Sequence, residues 1–362
     1  MTLTKLPGVY FTETVDNFTV DVEYIPLFIV QTSTAIADLD EQLVYFDNFE
    51  SFRLLATNKG LPVTLEVMEQ VFSTSQYTPF YVYSVKQDTS TAFTNLLVDC
   101  GSHREIKKVV YIEETKSSNN NTILQKIGAI ATALDENNYN VGAFRRALIV
   151  PYGTITDAVT TAENVAPATT VHNWFTTQTF AKSGRITLIV PDVAYAGTLI
   201  GIDLSKEFDE EIGYEPITAS IGELTYKFND TQLKDLTNAG VLCIREERYG
   251  GALQYRIVAG VTTNFALNKA DGLIVSRDIA DEVLAEVRDS AEQSVKEIEA
   301  SNVTAVLQSA VNGIIKSYTN DGLIKSNSLL SVAADGDTIN IQGQIAPVGT
   351  IFVIEVNTRI TK

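Results

Sequence analysis

Cysteine and histidine are the residues of this sequence best suited to metal binding or nucleophilic catalysis, and the chain has only two of each. Cys100 and His103 have a spacing that suits half of a metal site or a Cys–His pair. No second pair accompanies them, and a four-ligand zinc site would need every Cys and His of the chain. We therefore interpret this segment as a turn that follows a buried cysteine and leaves the histidine at the surface. The sequence predicts no disulfide framework.

A cluster of carboxylates offers a second possible chemistry. Asp209, Glu210 and Glu211, with Glu207 and Glu215 beside them, could bind a divalent cation because carboxylate oxygens are the ligands of hard cations. A solvated acidic loop explains the same residues, and it is the interpretation that we favour.

A predicted helix over residues 278–299 is also rich in acidic residues. Its acidic face could contact a basic partner, but its apolar stripe already explains its packing, so a solvated face is the simpler interpretation. Trp174, beside His172 and Phe175, could line a pocket, and we favour core packing there. The Asp-Gly pairs at 271, 321 and 335 are typical of turns.

The remaining sequence carries no recognisable catalytic or cofactor motif. It contains no G-x-S-x-G elbow, no G-x-x-x-x-G-K-[ST] phosphate loop and no G-x-G-x-x-G. We therefore predict no catalytic residue, no metal site, no cofactor and no enzymatic activity.

Charge excludes further classes of partner. The 362 residues carry a formal net charge of −18, from 45 acidic and 27 basic side chains. Binding to nucleic acid or to an anionic membrane surface needs clustered Lys and Arg, so neither partner is expected. Apolar stretches are far shorter than the roughly 20 residues of a membrane span, and no secretory signal is visible at the N-terminus.

The elements that would position these residues form two blocks. Residues 27–191 alternate short apolar runs with amphipathic helices, which predicts an α/β layered domain with a largely parallel sheet, bounded at about 24–222. A C-terminal α+β domain follows at about 223–348. In it we predict strands over 241–244 and 253–259, joined through a Gly-Gly turn, and then two helices.

Both ends of the chain have the alternation of strands. We predict an N-terminal extended arm over 1–23 and a C-terminal strand arm over 349–362. A terminal strand must satisfy its N–H and C=O groups at a sheet edge, either in its own chain or in a neighbouring one. The pattern alone leaves these two possibilities equal.

The start of the chain resembles a known family. Pro7, Gly8, Val9 and Tyr10, followed by Glu13, are similar to the PGVY-x-x-E start of contractile-tail sheath proteins from myophages, R-type bacteriocins and related injection systems. Later segments resemble that family in the same order: 26–30, 49–55, 67–72, 81–85, 233–241, 256–264 and 345–347. The resemblance therefore runs nearly from end to end.

This resemblance implies a fold and a function. The central domain would have a subtilisin-like fold without protease activity, since no Asp/His/Ser triad surrounds either histidine. The subunit would polymerise with itself as stacked rings around an inner tail tube, between a baseplate and terminator or collar proteins. It would contract without nucleotide hydrolysis to drive the tube through a target envelope. It would be assembled in the bacterial cytoplasm and reside in a phage or phage-tail-like particle.

The resemblance also assigns roles to residues. Arm strands would add to neighbouring subunits through Val9, Tyr10, Phe11, Val15, Ile351, Val353, Ile354, Val356 and Ile360. The arm hinges would be Gly8, Asn17, Pro347 and Gly349. One of the two helices between 278 and 318 would face the tube, with Glu282, Glu286 and Asp289 as candidate contacts. The alternatives are a soluble α/β enzyme of unknown reaction and another tail structural protein.

Overall fold

The computed structural model describes residues 24–348 apart from a set of short gaps. These gaps are at 38, 76–78, 87–95, 97–99, 101–102, 116–126, 135–144, 162–164, 180, 215, 250–251, 270–271, 295–299 and 336–337. The two predicted arms, 1–23 and 349–362, lie outside the described residues.

A seven-stranded sheet forms the centre of the molecule. Its strands are β1 (Leu27–Thr32), β2 (Val44–Phe46), β3 (Phe80–Lys86), β4 (Lys108–Glu113), β5 (Arg146–Val150), β6 (Ile186–Ile189) and β8 (Val241–Leu242). Their order is β2-β3-β1-β4-β5-β6-β8, and only β2 is antiparallel to its neighbour. Every residue of β1, β5 and β6 is buried, because helices cover both faces of a parallel sheet.

Helices pack on this sheet with defined starts and close contacts. They are α1 (Phe49–Lys59), α2 (Pro62–Ser75), α3 (Tyr152–Thr161), α4 (Pro167–Thr177), α5 (Ala196–Ser205) and α6 (Asp230–Asn238), and residues 127–134 are also helical. The Glu114 carboxylate, just after β4, accepts hydrogen bonds from the N–H groups of Val63 and Thr64 and so caps α2. A Cβ on Gly197 would lie 2.0 Å from the Val67 carbonyl, so glycine permits the close crossing of α5 over α2.

The predicted fold class is confirmed as a mixed α/β protein with a mostly parallel sheet. The predicted strand over 241–244 was wrong, since it belongs to two sheets. β8 extends the central sheet beside β6, whereas β9 (Ile244–Tyr249) pairs antiparallel with β10 (Ala252–Ile257), which also pairs with β7 (Pro216–Ile217). The buried Cys243 lies between β8 and β9.

A second hydrophobic core follows residue 258. It lies between α7 (Ile274–Ser294), α8 (Ala300–Asn320) and an antiparallel pair of strands, β11 (Leu329–Asp335) and β12 (Thr338–Gln344). We call this pair of strands the C-terminal ribbon. Because β8 belongs to the central sheet, residues after 222 contribute to the first core, and the division at 222/223 stays a prediction.

Candidate assembly surfaces

The Cys100–His103 segment is a turn with structural contacts. Cys100 is buried, and the His103 N–H donates to the Cys100 carbonyl at 3.1 Å. The His103 ring Nδ1 lies 2.7 Å from a Glu105 carboxylate oxygen, and the Arg145 guanidinium donates to the carbonyls of Cys100 and His103. These contacts agree with a turn after a buried cysteine, whereas His103, predicted at the surface, is half-buried beside Glu105.

The acidic loop after α5 is tied by local hydrogen bonds. A Glu211 carboxylate oxygen accepts from the Gly213 N–H at 2.7 Å, and Glu210 accepts from the Glu207 N–H at 3.3 Å. Glu215 lies outside the described residues. Among the residues that the structure describes, no group of three or more His, Cys, Asp or Glu side chains could hold a metal ion.

The acidic helix α7 pairs with basic residues of its own chain. Arg146, at the start of β5, is 2% exposed and donates both to Asp203 of α5 and to Asp278 of α7, at 2.8 and 3.0 Å. A charge this deeply buried is tolerated only when it is paired, so the contact fixes α7 against the amino edge of the sheet.

Three more ion pairs extend this joint along α7. Arg185, just before β6, donates to both carboxylate oxygens of Asp281, at 2.7 and 3.0 Å, and Arg277 pairs with the same carboxylate. Arg104, ahead of β4, forms a two-point contact with Glu292 at 2.9 and 3.0 Å. We call these ion pairs, together with Arg146, the basic-edge joint.

Burial and charge oppose each other at the centre of the joint. Burial alone would raise the pKa of Asp203, but the attraction of Arg146 and Lys108 is stronger and holds that pKa below its ordinary value. Burial alone would likewise lower the pKa of Arg146, and Asp203 and Asp278 raise it instead. Both groups are therefore charged at neutral pH.

The three residues predicted to face the tube differ in exposure. Glu282 is half-buried and accepts a hydrogen bond from the Tyr24 hydroxyl at 3.2 Å. Glu286 is exposed and accepts from the Tyr318 hydroxyl at 2.9 Å, while Asp289 is exposed beside Arg288. Burial, and then the bond to Glu286, raises the pKa of Tyr318 well above its ordinary value, which keeps that hydroxyl a donor.

The C-terminal ribbon has one edge that is closed and one that is open. On β11, the Gln308 side chain of α8 donates to the Leu330 carbonyl at 3.0 Å and accepts from the Val332 N–H at 2.8 Å. Leu330 and Val332 pair with Gly343 and Ile341 of β12. Because Leu330 and Val332 direct these backbone groups away from β12, they form non-hydrogen-bonded pairs of the antiparallel ladder. Their partners Gly343 and Ile341 therefore direct their own N–H and C=O groups away from β11, to the outer edge of β12. No strand among the described residues pairs with that edge.

A groove of about 500 Å³ adjoins this open edge. Its lining includes Ser276, Arg277, Ala280 and Leu284 of α7, Gly343 and Gln344 of β12, and Lys325 and Leu330. We call this site the ribbon groove. Gly343 is required here, since a Cβ would lie 2.0 Å from the Leu329 carbonyl.

No protein-family model and no curated protein sequence matches this chain. Solved structures do match it, over nearly their whole length. A chain of the anti-feeding prophage (AFP) baseplate superposes with a TM-score of 0.66 at 14% identity, covering 99% of this chain and 100% of that one. A chain of the AFP helical sheath in its contracted state gives a TM-score of 0.64 at 13% identity, with 99% of each chain covered. A chain of the PVC sheath complex, an extracellular contractile injection system in its contracted state, gives 0.61 at 14%, covering 99% and 98%.

The chain has the fold of contractile-sheath proteins. The resemblance predicted from the sequence is thereby confirmed at the level of fold. Because the identities are so low, the sheath fold is what the comparison establishes, and the roles of single residues stay predictions.

Most predicted arm residues and hinges lie outside the described residues. Pro347 is described, and it forms an isolated backbone bridge with Ile324. Two hydrogen bonds flank this bridge: the Lys325 N–H donates to the Ala346 carbonyl, and the Val348 N–H donates to the Leu323 carbonyl. In the described part of the chain, no helix is long and apolar enough to cross a membrane.

Sequence reasoning missed the basic-edge joint, the closed edge of β11 and the ribbon groove. The joint had a partial signal, since basic residues directly precede three buried strands at 104–108, 145–146 and 185. The role of Gln308 could not be predicted from the sequence, because a glutamine on a helix is common and nothing near it in the sequence indicates that its side chain binds the backbone of β11.

Proposed function

We propose that this protein is the subunit of a contractile tail sheath. The observation that carries the proposal is the match to sheath structures over 99% of the chain. The absence of a phosphate loop from the sequence and the structural contacts of Cys100–His103 agree with a non-enzymatic role. The protein would reside in a phage-tail-like particle after assembly in the bacterial cytoplasm.

Subunits polymerise by exchanging strands. The open edge of β12 offers unpaired backbone groups, which an extended segment of another chain can satisfy. The segments 9–15 and 351–360 have the alternation of strands and supply such segments. Contacts of this kind are heterologous, so they propagate into an open helical tube rather than closing on themselves.

Contraction follows from rotation of subunits as rigid bodies, without nucleotide hydrolysis. The basic-edge joint supports this mechanism, because it ties α7 to the amino edge of the central sheet through buried ion pairs. The arms remain connected while the bodies rotate, and the more stable contracted packing supplies the free energy. The central domain keeps the subtilisin-like arrangement that the resemblance implies, supported by its mostly parallel seven-stranded sheet.

The inner tail tube is the second partner, with the baseplate and collar proteins at the two ends. The exposed acidic residues of α7, Glu286 and Asp289, are suited to a basic strip on the tube. Reversing both to Lys should weaken assembly around native tubes, as measured by pelleting of sheath with tube. The matched control reverses the exposed Glu69 and Asp209, which lie on α2 and in the acidic loop. Equal assembly of both variants would reject α7 as the helix that contacts the tube and would favour the exposed face of α8.

The arms provide the direct test of polymerisation. Deleting 351–362 should leave a folded monomer, by circular dichroism and gel filtration, that forms no tubes by negative-stain electron microscopy. Val356→Pro should have the same effect because it removes a strand N–H, whereas Val356→Thr keeps the donor and serves as the control. Normal tubes from the deletion or from Val356→Pro would contradict the role of this arm.

A further inference from the structure

The ribbon groove is basic in an otherwise acidic chain. Among the described residues that line it, the charged ones are Arg277 and Lys325, whereas the whole chain has a net charge of −18. Lys325 is exposed, and its backbone N–H donates to the Ala346 carbonyl at 2.8 Å. This bond holds Lys325 beside the segment 345–347, which also lines the groove.

The charge of Arg277 is only partly neutralised by its own chain. Its guanidinium pairs with Asp281, and the same carboxylate accepts two hydrogen bonds from Arg185 at 2.7 and 3.0 Å. One carboxylate thus serves two guanidinium groups, which leaves one positive charge in excess. The Nε of Arg277 is buried and makes no hydrogen bond to a described residue. An anion in the groove would balance this charge.

A buried hydroxyl without a partner lies next to Arg277 on α7. Ser276 lines the groove and is 2% exposed, and its Oγ makes no hydrogen bond to a described residue. Buried polar atoms of native proteins nearly always have a partner, so this hydroxyl favours a bound polar group. Ser276 is also the third residue of a helix of 21 residues, where the helix dipole favours a negative charge.

Much of the remaining lining is apolar. Ala280 and Leu284 continue the face of α7 that carries Ser276, at intervals of four residues, and Leu330, Ile345 and Pro347 add further apolar surface. The volume of about 500 Å³ is typical of small-molecule sites and is larger than a phosphate group needs. The ligand that matches both parts of the groove has an anionic head and a compact apolar body.

We propose that the ribbon groove is a small-molecule site for a phosphomonoester with an apolar body, whose phosphate binds Ser276, Arg277 and Lys325. A hydroxyl, a guanidinium and an ammonium group suit the three oxygens of a phosphate better than the two of a carboxylate. The site lies within one chain, between α7 and the end of the C-terminal ribbon. It therefore goes beyond the sheath proposal and does not depend on it.

Calorimetry of the full-length chain tests the class of ligand, with phenyl phosphate as the probe. Phenyl phosphate should bind one to one and roughly 10-fold more tightly than inorganic phosphate, because its ring is buried against the apolar lining. Phenol, which lacks the phosphate, should not bind. Equal affinities for phenyl phosphate and inorganic phosphate would show an adventitious anion only. That result, no binding at all, or tighter binding of benzoate than of phenyl phosphate would overturn the proposal.

Substitutions in the groove test the position of the site. Ser276→Ala should weaken the binding of phenyl phosphate roughly 10-fold, because a hydrogen bond to a charged group is lost. Without ligand, the same variant should unfold at the same or a higher temperature than wild type, since the substitution removes an unpaired buried hydroxyl. Lys325→Ala should weaken binding roughly 2- to 5-fold, as expected for an exposed charge.

The matched controls are Ser317→Ala and Lys316→Ala, at exposed positions of α8 that do not line the groove. Both controls should bind phenyl phosphate as wild type does, and phenyl phosphate should raise the unfolding temperature of both. Affinities of Ser276→Ala and Lys325→Ala that equal those of their controls would overturn the ribbon groove as the site. Calorimetry measures binding to the chain itself, so tube formation has no bearing on the result.

Discussion

At the scale of residues, the central feature is Arg146, whose charge is almost completely buried between Asp203 and Asp278. Removing one member of a buried ion pair leaves the other charged and unsolvated, which costs more than the pair contributes. A single substitution in the joint should therefore destabilise the contact between α7 and the sheet.

Arg146→Met should lower the free energy of unfolding by about 3–5 kcal/mol, because Asp203 is left buried without its main partner. Urea denaturation followed by circular dichroism measures this change. Arg53→Met, which removes the exposed pair with Glu50 on α1, is the control and should have little effect. Similar losses in the two variants would show that burial of the joint does not matter.

The lowered pKa of Asp203 predicts sensitivity to acid. A carboxyl with a folded pKa below its unfolded value contributes stability that is complete above about pH 4 and is lost as pH falls through the folded pKa. Asp203→Asn should therefore be less stable than wild type at pH 7, and its stability should fall less below pH 4. Parallel pH profiles of unfolding free energy for the two proteins would contradict this assignment.

These charge pairs were beyond sequence reasoning for a physical reason. Asp278, Asp281 and Glu292 repeat at helical spacing, which predicts a solvated acidic face as readily as a paired one. Their partners lie 96 to 188 residues earlier in the chain, and only the packing of α7 against the sheet edge brings them together.

At the scale of elements, the C-terminal ribbon presents one open edge, which the proposed assembly would use. A two-stranded ribbon is marginally stable alone and exposes two edges. Here α8 covers one edge with the Gln308 amide, which imitates a neighbouring strand at Leu330 and Val332. In the proposed strand exchange, an incoming strand would therefore add to β12.

Gln308→Ala should loosen β11 while leaving the rest of the fold intact. Loss of two hydrogen bonds should lower local stability by about 1–2 kcal/mol, so the Val332 amide should exchange with solvent roughly 5- to 30-fold faster. Gln342→Ala, at an exposed position of β12, is the matched control. Unchanged exchange of Val332 in Gln308→Ala would show that the amide does not close this edge.

Elements were predictable where burial dominates. The runs at 27–31, 80–85 and 147–150 are apolar except for Gln31 and Ser84, as expected for strands buried on both faces, and each was predicted within one or two residues. The run 241–244 failed because its residues are apolar in both sheets, and no local signal marks the change at Cys243. The acidic helix was predicted to begin at 278 but begins at Ile274, since its first turn is buried rather than acidic.

At the scale of the whole molecule, the net charge of −18 opposes self-association. In the proposed polymer every subunit repeats that charge, so free monomers would repel one another until a template brings them together.

Salt should consequently favour polymerisation of the purified chain. Raising NaCl from about 0.02 to 0.5 M shortens the screening length from over 20 Å to about 4 Å, which weakens the net repulsion between these acidic chains. Light scattering should show a lower critical concentration at high salt, and sucrose of equal osmolality serves as the control. A critical concentration that rises with salt would mean that specific ion pairs dominate assembly.

Electron microscopy of the purified full-length chain tests the sheath assignment most directly. At concentrations above the assembly threshold, negative-stain images should show long hollow tubes built of stacked rings with helical order. A protein that stays monomeric or forms only small closed oligomers, at every concentration and salt tested and with native tubes added, would contradict the account.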